Sequence, residues 1–345
     1  MREMTCIDWF SGIGGFRLGL QRAGIRCVGF CEKNPFAVKS YRAMYDTEGE
    51  WYAEDITNIP PDTIPAADIW TAGTPCQNVS IAGKREGLRG DRSGLFFSLI
   101  RLLQAVSAEQ KPEWLILENV KGLLSSHNGW DFLDYQTALA ESGYDTEYEV
   151  FNTRDFGLPQ NRERVYLVGH LRTCGRKQVF PLRNCFAKAA PLRQLLGGSQ
   201  GNRIYSIEGC SCTLTGSSGG TAGKTGLYLL PVQSGTKSGY ELAQHGDAIS
   251  LSFLGSTSRR GRVGKQLSQT LTCNARIGVV LQQDTAFAVR RLTPKECFRL
   301  QGFPDSLFEK AAAVVSDSQL YQQAGNAVSV PIPEAIGNAM QAQIR

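Results

Sequence analysis

The sequence predicts an α/β protein: an open sheet of largely parallel strands, with a smaller irregular unit inserted before the chain returns to it. Three observations carry this expectation. Up to about residue 171, apolar runs of strand length alternate with amphipathic helical stretches. The first strand runs into a glycine turn and a helix, which is how a nucleotide-binding βαβ unit opens. From Gly197 to Gly226 there are nine glycines among many Ser and Thr, a composition that suits irregular strands and long loops rather than packed helices.

In chain order, residues 4–10 (MTCIDWF) read as a central strand, Ser11-Gly12-Ile13-Gly14-Gly15 as a turn, and FRLGLQRAG as a helix. The glycines let the backbone approach a ligand closely. They fall short of a full GxGxxG, so a dinucleotide is not implied. A second strand, IRCVGFCE, ends in Glu32, twenty residues after Gly12, where an acid suits the hydroxyls of a ribose. A third ends near Ala53-Glu54-Asp55-Ile56. Asp55 there is either an acceptor for an adenine amino group or an exposed turn acid.

The fourth strand, ADIWTAG, ends at Gly73, and the chain turns through Thr74 and Pro75 to Cys76. Open α/β sheets carry their chemistry beyond the carboxyl ends of the strands. A cysteine there is placed to react once something helps it become a thiolate, although a lone cysteine also serves as a small buried hydrophobe. Residues 80–94, SIAGKREGLRGDRSG, are polar and unpatterned, and suit either a closing loop or a solvated linker. The helix LFFSLIRLLQAV follows. The strand EWLILENV then puts Glu118 at a strand end on the same sheet edge as Cys76. After a helix from about Trp130 to Ser142, Arg162 and Arg164 alternate at the start of the strand RVYLVG, so both are expected on one face. Two such guanidiniums suit an anionic or carbonyl-bearing ligand.

Residues 203–214 (RIYSIEGCSCTL) and 261–271 (GRVGKQLSQTL) suggest two related strand-loop units in the middle of the chain. Order returns with RRLTPKECFRLQGFPD, where Thr293, Pro294 and Glu296 form a capping box that opens a helix. Gly325-Asn326 precedes a last helix. The two ends are expected to share one domain, residues 1–185 with 318–345, with residues 186–317 as an inserted domain and hinge.

Composition narrows the function classes. No stretch of about 18 apolar residues marks a membrane span, and MREMTCIDWF lacks the features of a secretory signal. Ten cysteines without a CxxC pair favour reduced thiols and a cytoplasmic setting. The three histidines, His127, His170 and His245, lie far apart, which disfavours a metal centre. Lys and Arg exceed Asp and Glu by six in residues 186–285, while the remainder is near neutral, so the surplus points that segment at a polyanion.

Together the segments DWFSGIGGFRLGL, Glu32, Asp55, GTPCQNVS, GLFF, LENV, QNRERVYLVG, RRLTPKECFRLQGFPD and QAGNAVSVP resemble, in the same order, the C5-cytosine DNA methyltransferases. The compact layout is similar to small bacterial or phage restriction-modification enzymes. The resemblance implies a Rossmann-like S-adenosylmethionine-dependent methyltransferase domain carrying an inserted, irregular β-rich target-recognition domain. It implies that the Cys76 thiolate adds to C6 of cytosine, turning C5 into an enamine carbon that accepts a methyl group. Glu118 would hydrogen-bond N3 as the protonated acid, Arg164 would hold O2, and Arg162 would support the site. Phe10, Gly12, Gly14, Glu32, Asp55, Ile56, Pro75, Leu95, Asn326 and Val328 would bind S-adenosyl-L-methionine, Pro75 and Gln77 also shaping the nucleophile turn. The target base in double-stranded DNA must be flipped out, with the Ser80–Gly94 loop closing over it. Gln77, Ser80, Arg203, Lys224, Arg259, Arg260 and Arg262 would contact the DNA. A cognate restriction endonuclease, not bound to this chain, is the implied companion.

Two further readings compete. An RNA cytosine methyltransferase shares the chemistry. The two-cysteine RNA enzymes need a second cysteine near the first, and none lies close to Cys76, but a few RNA-acting proteins share these motifs, so methyl transfer to tRNA against duplex DNA decides. A catalytically silent DNA-binding relative usually lacks the nucleophile or the acid, and both are present here. A cysteine hydrolase fails for want of a histidine at a plausible partner position.

Overall fold

The structure is a computed structural model of the 345-residue chain. It describes residues 3–74, 94–175, 178–182, 194–196, 204–205, 230–237, 239–252, 258, 261–272, 276–283 and 286–343. Cys76 with its neighbours Pro75, Gln77 and Ser80, and Arg203, Lys224, Arg259 and Arg260, lie outside them.

A seven-stranded sheet forms the core. Its strands are β1 (Thr5–Trp9), β2 (Arg26–Cys31), β3 (Trp51–Ala53), β4 (Ile69–Gly73), β5 (Trp114–Val120), β6 (Tyr144–Asn152) and β7 (Glu163–Leu171). They lie in the order β3-β2-β1-β4-β5-β7-β6. The first five are parallel, and β7 runs antiparallel to both its neighbours. The strand order reverses between β1 and β4, which is where open α/β sheets leave a crevice at their carboxyl ends. The central strands are apolar throughout because both faces are covered: Trp9, Trp70 and Trp114 are fully buried.

Helices α1 (Gly15–Arg22), α3 (Gly94–Ala105) and α4 (Trp130–Glu141) follow the strands as the sequence predicts, and α2 (Pro35–Met44), which sequence reasoning did not single out, joins β2 to β3. Near the end of the chain come α5 (Pro294–Leu300), α6 (Asp305–Ala312), α7 (Asp317–Asn326) and α8 (Pro331–Gln341). The expected capping box is present: Thr293 Oγ1 accepts from the Glu296 N–H at 3.3 Å, and Glu296 Oε2 accepts from the Thr293 N–H at 2.7 Å.

Backbone packs directly on backbone where α1 meets the end of the chain. A Cβ on Gly15 would stand 2.4 Å from the Val328 carbonyl oxygen, and one on Gly19 would stand 2.6 Å from that of Val330. Residues of α1 and α8 therefore pack in one core. The boundary placed at 317/318 does not separate cores, however. Cys297, Phe298, Phe303 and Ala311, from α5 to α6, pack with Ile13, Phe30 and Tyr41 of the nucleotide-binding half.

Among the described residues of the insert, a four-stranded antiparallel sheet runs Val263–Gly264, Ala248–Ser250, Ile277–Gln283, Ala286–Arg291. It is joined to the larger sheet near β7: Ser268–Gln269 pairs with Gln160–Asn161, and Gln160 Oε1 accepts from the Leu271 N–H at 3.1 Å. The proposed first copy of the repeat falls mostly outside the described residues.

Candidate active site

The crevice at the switch point holds a cavity of about 390 Å³, within the usual size of a small-molecule site, roughly 300–1,000 Å³. Glu32 directly follows β2 and Glu118 lies near the end of β5, three strands across the sheet, a separation of about 14 Å at 4.8 Å per strand. Both line the cavity, so its two ends carry different chemistry.

At the first end the chain leaves β1 through two left-handed residues, Phe10 (φ 53°) and Gly12 (φ 55°). Phe10 is a non-glycine residue in a conformation that costs roughly 1–3 kcal/mol, which the surrounding structure must hold. Glu32 does part of this: its Oε2 accepts from the Gly12 N–H at 2.8 Å and its Oε1 from the Asn34 N–H at 2.7 Å. Tyr45 supports the turn from below, its hydroxyl donating to the Ile13 and Gly14 carbonyls, each at 3.1 Å. Gly14 stands behind the residues that line the cavity. It is left-handed (φ 78°), and a Cβ there would stand 2.6 Å from the Tyr45 ring. Its service is steric, letting the turn close on tyrosine.

Asp55 caps the short turn that follows β3, accepting from the Thr57 N–H at 3.0 Å, and pairs with Lys33 at 2.6 Å. The Lys33 bond, then those from Thr57, hold its carboxyl down at about 2. Burial, followed by the charges of Glu32 and Asp55, pushes the neighbouring Cys31 thiol up to about 12, so it stays protonated and unreactive. Ile56, Leu95, Asn326 and Val328 line the same cavity. Acids at the ends of β2 and after β3, apolar Phe10, Ile56 and Leu95, and an open space beside Gly12 fit a nucleoside-bearing ligand.

At the other end, Glu118 is buried beside Gly73, its partner in the register of β4 and β5. Arg164 Nε approaches Glu118 Oε1 to 3.0 Å, an ion pair rather than an aligned hydrogen bond, since that oxygen has no hydrogen-bond partner among the described residues. Arg162 differs from the expectation. It also borders the cavity, but its guanidinium is buried and donates to the carbonyls of Leu271, Gly325 and Ala327 at 3.1, 3.3 and 3.0 Å. It ties the start of β7 to the insert and to the C-terminal end of α7. Arg262, expected on DNA, is corrected outright. Its side chain is 2% exposed and donates to the carbonyls of Gln233, Ser250 and Ser252, so it braces the insert from inside.

Sequence reasoning missed Tyr45, Arg17 and Thr74. Arg17 grips Glu50 with two bonds of 2.7 and 2.8 Å and lies over the rings of Tyr41 and Tyr45 beneath the turn. A basic residue in an otherwise apolar helix face was its only signal. No described helix is long and apolar enough to cross a membrane, and no group of three metal-ligating side chains occurs among the described residues.

A doubly wound sheet whose crevice joins a nucleoside-shaped end to a carboxylate and a guanidinium suits an enzyme that brings a nucleoside-bearing cofactor to a polar substrate. Its family can be stated: the chain belongs to the C-5 cytosine-specific DNA methylases, whose family model matches residues 4–342. It is 35% identical over 344 residues to the type II methyltransferase M.HaeII of Haemophilus aegyptius, covering 99% of this chain and 93% of that one. Against the type II methyltransferase M.NlaX of Neisseria lactamica the identity is 33%, over 98% and 96% of the two chains. The fold is also that of the S. pombe Dnmt2 methyltransferase, with a TM-score of 0.63 at 18% identity over 99% of each chain.

Proposed function

We propose that this enzyme methylates C5 of a flipped-out cytosine in double-stranded DNA, with Cys76 as the nucleophile and S-adenosyl-L-methionine in the cavity beside Gly12. One observation carries the reading: Glu118 and Arg164 stand 3.0 Å apart at the carboxyl edge of the sheet, and the chain reaches Cys76 three residues beyond Gly73, the register partner of Glu118.

The Cys76 thiolate adds to C6 of the base, and the electron pair of the C5–C6 bond moves into the ring. Glu118 hydrogen-bonds N3 and Arg164 holds O2, so developing charge meets fixed donors. C5, made nucleophilic by that addition, takes the methyl group that bound S-adenosyl-L-methionine would supply from its sulfonium, the methyl–sulfur bond breaking to leave a neutral thioether. A base then removes the C5 proton and the C6–sulfur bond breaks, returning the thiolate. Glu32 and Asp55 are assigned to the ribose and the adenine amino group, Phe10, Ile56, Leu95, Asn326 and Val328 to the walls around them, and Pro75 to the turn beside them. The described insert, with the basic surplus of residues 186–285, is assigned to target recognition. Arg203, Lys224, Arg259 and Arg260 are its DNA contacts, with Gln77 and Ser80 on the nucleophile side. The sequence similarity to type II enzymes favours a restriction-modification role, with a companion endonuclease cutting the same site.

The test is covalent capture. A duplex carrying 5-fluorocytosine at the target should trap the enzyme as a denaturation-resistant adduct, because elimination requires a C5 hydrogen. Cys76→Ser should neither be trapped nor transfer methyl groups, while still binding DNA. Failure of the wild type to trap, under conditions where it methylates normal DNA, would overturn the nucleophile assignment. Methylation of transfer RNA in preference to the duplex would overturn the substrate.

A further inference from the structure

On the face of β5 opposite Glu118, a buried chain of hydrogen bonds meets the start of the nucleophile turn. Successive strand residues point to opposite faces, so Asn119 turns away from the cavity and toward α3 and α4. Its Oδ1 accepts from the Val120 N–H at 2.8 Å, which fixes the amide so that Nδ2 faces Thr74 and donates to its Oγ1 at 3.1 Å. Thr74 Oγ1 is in turn 2.7 Å from the hydroxyl of Tyr135 on α4. Thr74, Asn119 and Tyr135 are all buried. The Tyr135 ring stacks on Phe96 in the first turn of α3, with centroids 3.4 Å apart and planes 12° from parallel.

Tyr135 thus touches both sides of the segment that carries Cys76: Thr74, two residues before the cysteine, and Phe96, just after the segment ends. Packing alone would be served by phenylalanine, because the surrounding cluster is apolar. A buried hydroxyl costs free energy unless it is paired. Here the pairing runs into the strand that holds Glu118.

We propose that Tyr135 is a positioning residue for methyl transfer. Through Thr74 and Phe96 it ties the end of β4 to the first turn of α3, and so sets the start of the nucleophile turn relative to Glu118. It touches neither substrate nor cofactor. The proposal rests on the assignment of Cys76 as nucleophile. Its leverage comes from geometry, since a displacement of about 1 Å at a reacting atom can cost about a hundredfold in rate.

The experiment measures the rate of capture by the 5-fluorocytosine duplex together with kcat, KM and thermal stability. Tyr135→Phe keeps the ring on Phe96 and removes only the hydroxyl. Capture and kcat should both fall about tenfold, while KM for DNA and for S-adenosylmethionine stays within about twofold. Thr74→Val should do the same, and the double variant should be little worse than either single, as expected for partners in one interaction. Thr74→Ser, which restores the hydroxyl, should recover most of the rate lost in Thr74→Val. Unchanged capture by Tyr135→Phe, additive losses in the double variant, or a rate loss that merely tracks the folded fraction would each overturn the proposal. If the wild type itself is not captured, the fault lies with the nucleophile assignment; if it is captured as fast as Tyr135→Phe, the fault lies here.

Discussion

Arg162 offers the sharpest test of how the site is braced. Its guanidinium donates to three buried carbonyls, those of Leu271, Gly325 and Ala327. Arg162→Ala strands all three acceptors at once. Leaving a buried polar group unpaired costs about 1–3 kcal/mol. Relaxation and water entry make the three costs less than additive, so the expected loss is about 3–5 kcal/mol, at the top of the range for single substitutions. Arg162→Lys keeps the charge but lacks the planar fork that reaches several acceptors, and should lose about 1–2 kcal/mol. Urea unfolding followed by tryptophan fluorescence gives the numbers, with an unchanged m-value confirming that the same structure is being lost. Titration calorimetry adds a second readout. Gly325 and Ala327 flank Asn326 in the cavity wall, so cofactor affinity should fall together with stability. If Arg162→Lys kept full stability and affinity yet lost kcat, the guanidinium would be facing the substrate and the bracing argument would be wrong.

Two further outcomes follow from the same structure. Arg262→Ala should destabilise the insert and weaken DNA binding without changing the slope of log K against log salt, because its guanidinium sits on backbone carbonyls. A phosphate contact would instead reduce that slope by about one. Asp55, held at about 2 by Lys33 and Thr57, has a depressed carboxyl. Its contribution to stability is therefore complete above the unfolded value of about 3.9 and is lost as pH falls through about 2. Asp55→Asn should remove that part of the acid limb, and added salt should blunt the wild-type effect because Lys33, its partner, is largely exposed.

Much of the catalytic half was legible because its signals are local. The glycine turn, Glu32 at the end of β2, Glu118 near the end of β5 and the Thr293–Glu296 box each follow from residue type and spacing, and each occurs as expected. The direction of β7 was not legible, since a buried apolar run such as RVYLVG packs equally well parallel or antiparallel. Arginines misled for a related reason. Alternation places Arg162 and Arg164 near one cavity, but Arg162 precedes the strand and its long side chain reaches carbonyls that belong to residues over a hundred positions away. Arg262 looked like a surface cation because nothing local announces that three backbone oxygens will converge on it. Tyr135 carried no signal at all, being one aromatic among several on an amphipathic helix.

The contact of Gly15 and Gly19 with Val328 and Val330 bears on when this enzyme can first act. A ribosome builds the glycine turn early, yet the wall that completes its crevice emerges some 313 residues later. At about 5–20 residues per second that delay is roughly a quarter of a minute to a minute. Throughout it α1 has no backbone to close against, so a nascent chain holds an open crevice until residues 328–330 have emerged and packed on Gly15 and Gly19.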